Sequence, residues 1–180
     1  MLDTRELGRR PGSQRTVSFS AEAPAELGIE ILGVAEGSPV EFDLRLEAVM
    51  EGVLVTGTAA ADLEGECARC LEPIEDHIAI DLQELFLYDD TRDAVSNPDD
   101  DEETDVRRTE GDLIDLEPAL RDAVVLALPF QPLCRDDCPG LCTECGARLA
   151  DDPDHRHEEP VDPRWARLQD LGPDAGPDRD

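Results

Sequence analysis

From Thr16 onward apolar and polar residues alternate with a period of two: Val17, Phe19 and Ala21 share one face, and the pattern is clearest in Val40-Glu41-Phe42-Asp43-Leu44-Arg45-Leu46-Glu47-Ala48. Successive side chains of a strand point to opposite faces, so this alternation predicts half-buried antiparallel strands. Met50-Glu51-Gly52 predicts a turn, after which Val53, Val55, Gly57, Ala59, Ala61 and Leu63 alternate down a returning strand that delivers Cys67 and Cys70 at its end. Beyond Pro73 the alternation resumes at Ile74, Ile78, Ile80 and Leu82. It changes phase at Gln83-Glu84 before Leu85 and Leu87, which predicts a bulge in this third long strand. His77 falls in the polar phase and is expected at the surface.

The period becomes helical in residues 113–130. Asp115 can cap the start, Pro118 is tolerated in a first turn, and Leu116, Leu120, Ala123, Val124 and Ala127 recur on one stripe until Pro129 stops the run. Residues 89–112 are dominated by Asp, Glu, Thr and Arg and bury too little to repay ordering, so a disordered acidic loop is expected there. Residues 1–15 hold Arg5, Arg9, Arg10 and Arg15 among glycines and a proline with no regular period, and are expected as a basic arm. Such an arm is either solvated, or a site for RNA phosphate or for the protein's own acidic face. Residues 161–180 predict a short helix carrying Trp165, Leu168 and Leu171, then a tail. The expected class is α+β: an antiparallel sheet of about four to five strands, or a partly closed barrel, occupying 16–88, with one long helix and a cysteine-rich module in 131–160.

Charge narrows the range of partners. With 45 acidic residues against 16 basic ones, the 180-residue chain carries a formal charge of -29. A surface this negative repels phosphate backbones, so extensive direct nucleic-acid binding is disfavoured and a basic protein is the better-matched partner. Every basic side chain is arginine, which leaves no lysine for P-loop phosphate binding or Schiff-base catalysis. The apolar fraction of 39 % allows a modest core, and a small core is a reason to use a metal staple. No run approaches a membrane span, and the opening Met1-Leu2-Asp3-Thr4-Arg5 has no apolar signal core, so a soluble, cytoplasmic protein is expected.

The cysteines carry the chemistry. Cys134, Cys138, Cys142 and Cys145 crowd into one segment, Cys67 and Cys70 form a separate tight pair, and His155 and His157 follow the cluster. Two cysteines two residues apart and followed by glycine, as in Cys142-Thr143-Glu144-Cys145-Gly146, can aim both thiolates at one tetrahedral zinc while the glycine lets the backbone turn. Disulfides are disfavoured without a sign of an oxidising compartment, and neither pair opens a helix after a strand as redox dithiols do. No H-E-x-x-H or H-x-E…C-x-x-C pattern sets a general base beside the cysteines. Structural zinc, one ion or two, is the expected cofactor, and no catalytic residue is assigned.

Several segments in order resemble a known family: Cys67-x-Arg69-Cys70-Leu71-x-Pro73; Asp115-Leu116 opening a helix that ends Leu126-Ala127-Leu128-Pro129; Cys134-x3-Cys138-x-Gly140-Leu141-Cys142-x2-Cys145-Gly146; and Asp162-Pro163-Arg164-x3-Leu168. Together they resemble the YceD family, also called the large ribosomal RNA subunit accumulation protein family. The opening Asp3-Thr4-x-x-Leu7-x-Arg9-x-Pro11-Gly12 resembles its actinobacterial branch. The resemblance implies a non-enzymatic cytoplasmic protein needed for accumulation of the large-subunit (23S) ribosomal RNA and for ribosome biogenesis. Its expected partner is a basic ribosomal protein or a large-subunit assembly intermediate, with direct rRNA contact left open. Members often end the cysteine cluster with a C-x-C pair, where this chain has His155-x-His157. The family pattern favours one site from Cys67, Cys70, Cys134 and Cys138 and a second from Cys142, Cys145, His155 and His157. A set of Cys67, Cys70, Cys142 and Cys145, as in zinc ribbons, is the competing assignment. A thiol-based zinc or redox sensor, or a metal buffer, is the alternative function.

Overall fold

The computed structural model describes residues 1–89 and 106–157. In chain order its strands are β1 (Leu2–Asp3), β2 (Gln14–Glu22), β3 (Leu27–Ile29), β4 (Leu32–Val34), β5 (Pro39–Ala48), β6 (Gly52–Glu66), β7 (Pro73–Leu87) and β8 (Leu113–Ile114), followed by helix α1 (Glu117–Ala127). The 15-residue β6 is the axis of a six-stranded antiparallel sheet. Along one edge it pairs with β7 over its whole length; along the other it pairs with β5 over Val53–Ala60 and with β4 at Glu64 and Gly65. β2 pairs with β5 and ends the sheet, so the strands form an open sheet and not a partly closed barrel.

The apolar half of each alternation forms the core. Val40, Phe42, Leu44 and Leu46 on β5 meet Val53, Val55, Ala59 and Leu63 on β6 and Ile80, Leu82 and Phe86 on β7. Phe19 of β2 stacks on Phe42 of β5 at 4.9 Å between ring centroids. Helix α1 lays Ala119, Leu120 and Val124 on this face, against β3 and β7. The polar half of the alternation lines the other face, where Glu41, Asp43, Asp62, Glu64, Glu75 and Asp81 are exposed. Gly57 sits mid-strand with φ 151°, and a Cβ there would stand 2.1 Å from the Asp43 carbonyl oxygen. Glycine lets β5 and β6 approach at that point.

Four expectations are corrected. The helix has 11 residues and does not fill 113–130, because Leu113 and Ile114 form β8 instead. Asp115 accepts a hydrogen bond from the Glu117 N–H at 3.1 Å, and Leu128, already extended, ends the run before Pro129. The N-terminal arm is anchored to the fold and not free: Leu2 pairs with Ile114 and Thr4 and Leu7 are buried, while Arg5, against Asp3, Arg9, over the Tyr88 ring, and Arg10 stay exposed and Arg15 meets Glu6. The acidic loop is shorter than 89–112. Leu87 N–H donates to the Arg107 carbonyl at 3.0 Å, Thr109 N–H donates to the Leu87 carbonyl at 2.9 Å, and Arg107 bridges Glu84 and Asp122. No bulge interrupts β7, whose register with β6 is constant from Pro73 to Leu87. The apparent change of phase arises because Leu87, on the polar phase, is buried where residues 107–109 join it, while Leu85 stays on the open face. The acidic run 90–105 and the expected short helix at Trp165 and Leu168 lie outside the described residues.

The chain divides into two compact units, Met1–Cys138 and Pro139–Asp180. The expected module 131–160 is therefore split: Cys134 and Cys138 belong to the sheet unit. Among the described residues no helix is long and apolar enough to cross a membrane. Gly57→Ala is expected to destabilise the fold by about 2–4 kcal/mol, since backbone must move to admit the methyl group; urea denaturation of the purified chain measures it.

Candidate metal centres

β6 ends at Glu66, and the next six residues turn the chain into β7 around the first cysteine pair. Cys67 N–H donates to the Glu72 carbonyl at 2.8 Å and Leu71 N–H to the Cys67 carbonyl at 2.9 Å, folding the loop tightly enough to put both sulfurs on its inner side. Leu71 takes φ 59°, a left-handed conformation that normally belongs to glycine. The second pair repeats the bonding. Cys142 N–H donates to the Ala147 carbonyl at 2.7 Å and Gly146 N–H to the Cys142 carbonyl at 2.8 Å, with Gly146 at φ 73°. Leu71 and Gly146 occupy the same position of the same turn.

In the sheet unit, Cys67, Cys70, Cys134 and Cys138 converge with all four sulfurs within 4.8 Å of one another. Cys67 and Cys138 lie 3.8 Å apart and Cys70 and Cys134 3.6 Å apart. Bonds of about 2.3 Å from a tetrahedral zinc would set sulfurs roughly 3.8 Å apart, whereas a disulfide needs about 2 Å. All six cysteines are unbridged. The segment that brings Cys134 and Cys138 is tied to the first knuckle by Ala68 N–H to the Pro132 carbonyl at 2.8 Å and by Arg69 to the Cys138 carbonyl at 3.0 Å.

The electrostatics of the cluster divide its thiols. Burial works against a Cys67 thiolate, but the backbone N–H groups of Cys134, Arg69 and Cys70 outweigh it and bring Cys67 down to about 6. Burial and hydrogen bonds with Cys67 and Cys138 push Cys70 up. Cys134 is exposed as a residue, yet its sulfur turns in on Cys70; desolvation and the surrounding thiols push it up to about 12. Four thiols this close cannot all ionise by themselves, and a divalent cation is the group that lets them.

In the second unit, Cys142, Cys145, His155 and His157 form the other cluster. The Nε2 atoms of His155 and His157 lie 2.9 Å apart and 3.2 and 3.3 Å from the Cys145 sulfur. Each Nδ1 faces outward toward a carboxylate, Asp152 at 3.6 Å and Glu144 at 3.4 Å. Metal-binding histidines are oriented in this way, one nitrogen to the ion and the other to an anion that raises its basicity. The backbone N–H groups of Cys145 and Glu144 lower Cys142 to about 6. Both clusters fit a metal ion, the first through four thiolates and the second through two thiolates and two imidazoles. The first is mostly buried, whereas Cys145 and His157 of the second are exposed.

The eight residues singled out in the sequence are therefore brought together as two sets of four, and Cys67 and Cys70 group with Cys134 and Cys138 in preference to the Cys142/Cys145 pair. His77 stays outside both, exposed and 2.9 Å from Asp62. Three supporting groups were not anticipated: the Arg69 guanidinium, the Pro132 carbonyl and Leu71. Arg69 and Leu71 had a trace in the sequence, both standing in the Cys67-x-Arg69-Cys70-Leu71-x-Pro73 motif and Leu71 holding the position after C-x2-C that Gly146 holds in the other pair, whereas Pro132 had none.

A family model described as the large ribosomal RNA subunit accumulation protein YceD matches residues 55–172. The chain belongs to the YceD family. The match takes in β7, α1 and all eight candidate ligands, while β1 to β5 precede it. Mycobacterial relatives carry the likeness over that N-terminal part: the uncharacterized protein Rv2926c of Mycobacterium tuberculosis is 47 % identical over 175 residues, covering 97 % of this chain and 82 % of its own length. The uncharacterized protein ML1660 of Mycobacterium leprae is 42 % identical over 176 residues, 97 % of this chain and 79 % of its own. The uncharacterized protein YlbN of Bacillus subtilis is 28 % identical over 137 residues, 74 % of each chain. No solved structure matches this YceD-family chain.

Two predictions follow from the two separate clusters. The reduced protein should take up two equivalents of divalent metal, Cys70→Ser and Cys145→Ser should each lose a different one, and a chelator should strip the exposed second site first. Elemental analysis during a chelator time course reads all three. Leu71→Gly should stabilise the chain by up to about 1 kcal/mol, because Leu71 is 57 % exposed and gives up left-handed strain without losing much packing; its shift in denaturation midpoint measures this.

Proposed function

We propose that this YceD-family chain is a non-enzymatic zinc-binding factor acting in the cytoplasm in accumulation of large-subunit (23S) ribosomal RNA. The observation that carries the zinc assignment is the donor geometry: two closed sets of four, one all sulfur and one of two sulfurs and two imidazoles, at spacings suited to a tetrahedral ion. Closed sets leave no coordination position for substrate, which supports a structural role over a hydrolytic one. The family description supplies the link to ribosomal RNA. The charge of -29 and the acids on the open sheet face support association through a basic ribosomal protein on a large-subunit precursor rather than through bare RNA.

A second reading, a thiol sensor, draws support from the exposure of Cys145 and from the lowered Cys142 thiol. It requires release of one metal equivalent on mild oxidation, with recovery on reduction; retention of both under peroxide removes it. For the assembly reading, the tagged chain should co-sediment with large-subunit precursors, and the association should fall steeply as salt is raised. Tight binding to protein-free rRNA fragments, or sedimentation free of all precursors at low salt, would overturn it.

A further inference from the structure

The outer edge of β2 is a nine-residue strand margin that no strand among the described residues pairs with. Bonds at its two ends set the phase of the inner ladder: Ala48 N–H donates to the Ser13 carbonyl at 2.9 Å, and Ala23 N–H donates to the Ser38 carbonyl at 2.8 Å. Antiparallel pairs alternate between bonded and non-bonded. Residues 15, 17, 19 and 21 therefore bond to β5, and Gln14, Thr16, Ser18, Ser20 and Glu22 aim their N–H and C=O groups outward.

Edge strands are ordinarily blunted by charges, prolines or bulges. β2 has none of these in its centre. Thr16-Val17-Ser18-Phe19-Ser20-Ala21 is uncharged in a chain that is 34 % charged, Arg15 at one end is paired with Glu6 at 2.6 Å, and the register with β5 runs unbroken from Gln14 to Glu22. The two faces beside this edge differ in chemistry. On the core side, a notch of about 170 Å³ lies between β2 and the first turn of α1, lined in part by Leu2, Phe19, Ala21, Leu116 and Leu120. That volume is of the order that admits a small apolar group. On the other side, Glu41 and Asp43 stand opposite Ser20 and Ser18, exposed.

We propose that β2 is a docking edge for an extended, basic protein segment that adds a strand to the sheet. Main-chain bonds to Thr16, Ser18 and Ser20 supply pairing; alternate apolar side chains face the notch and intervening arginines or lysines face Glu41 and Asp43. A second copy of this chain is disfavoured as occupant, because it would bring another charge of -29 onto the same acidic face. The inference deepens the reading of a basic partner by naming where such a partner binds, and it rests on that reading for the partner's identity alone.

The probe is a labelled nine-residue peptide of alternating valine and arginine, titrated into the full chain by fluorescence anisotropy with hydrogen exchange in parallel. Binding should slow exchange at the Thr16, Ser18 and Ser20 amides. Affinity should fall at least about tenfold in Ser18→Pro, which deletes an outward N–H and leaves the β5 ladder intact. It should fall similarly when alternate peptide nitrogens are methylated or when glycine replaces valine at equal charge. Equal affinity across these arms means attraction by charge alone and overturns the proposal, as does a dimer of the full chain that Ser18→Pro dissolves. Should Ser18→Pro fold poorly, the methylated peptide against the wild-type chain decides. Precursor association that survives in a folded Ser18→Pro sinks the edge alone, whereas its absence in a wild-type chain that still binds the peptide sinks the assembly reading alone.

Discussion

The sheet unit depends on the meeting of four sulfurs drawn from segments 64 to 71 residues apart. Cys67 and Cys70 lie in the turn between β6 and β7, while Cys134 and Cys138 follow α1. Closing a loop of that length costs entropy that grows only slowly with the residues inside it, so the acidic run 90–105 adds little to the cost. Without an ion, thiols held at 3.6 to 3.8 Å oppose one another's ionisation. A cation reverses that sign: the same crowding that pushes Cys134 up to about 12 becomes four bonds to one centre.

The backbone is prepared for this before any ion arrives. Turns of one design serve both cysteine pairs, each holding its first cysteine through an N–H bond to the carbonyl five residues on. In one turn glycine meets the left-handed requirement; in the other leucine does, at a cost in strain. The two clusters then differ in exposure. The all-cysteine set is sheltered against the sheet unit, whereas the mixed set keeps two ligands in solvent and uses Asp152 and Glu144 to orient its imidazoles.

Charge and fold bear on recognition from different directions. An excess of acid disfavours the approach of bare phosphate. The open face of the sheet carries part of this excess, with Glu41, Asp43, Asp62, Glu64, Glu75 and Asp81 exposed on it. Of the N-terminal arginines, Arg5 and Arg15 are paired with Asp3 and Glu6. This charge and the uncovered sheet are what motivate the proposal of a basic protein partner.

Alternation by itself determined β2, β5, β6 and most of β7 and their inward faces, since a half-buried strand must place every second side chain toward the core; it failed at Leu85 and Leu87, where a contact from 107–109 buries the polar phase. C-x2-C spacing likewise identified Cys67, Cys70, Cys142 and Cys145, because two intervening residues are what a turn needs to aim two thiolates at one point, while Cys134, Cys138, His155 and His157 stood out by their crowding around the second pair. The short pairing of β1 with β8, the docking of Arg107 and Thr109 on β7, and the early start of strand geometry at Leu113 were not legible: two-residue strands carry no period, and their partners lie a hundred residues away. The grouping of Cys67 and Cys70 with Cys134 and Cys138 was favoured by the family resemblance but left open by spacing, and the tertiary structure decided it. Spacing constrains ligands within one turn, but which turns meet is decided by how α1 crosses the sheet and where it releases the chain.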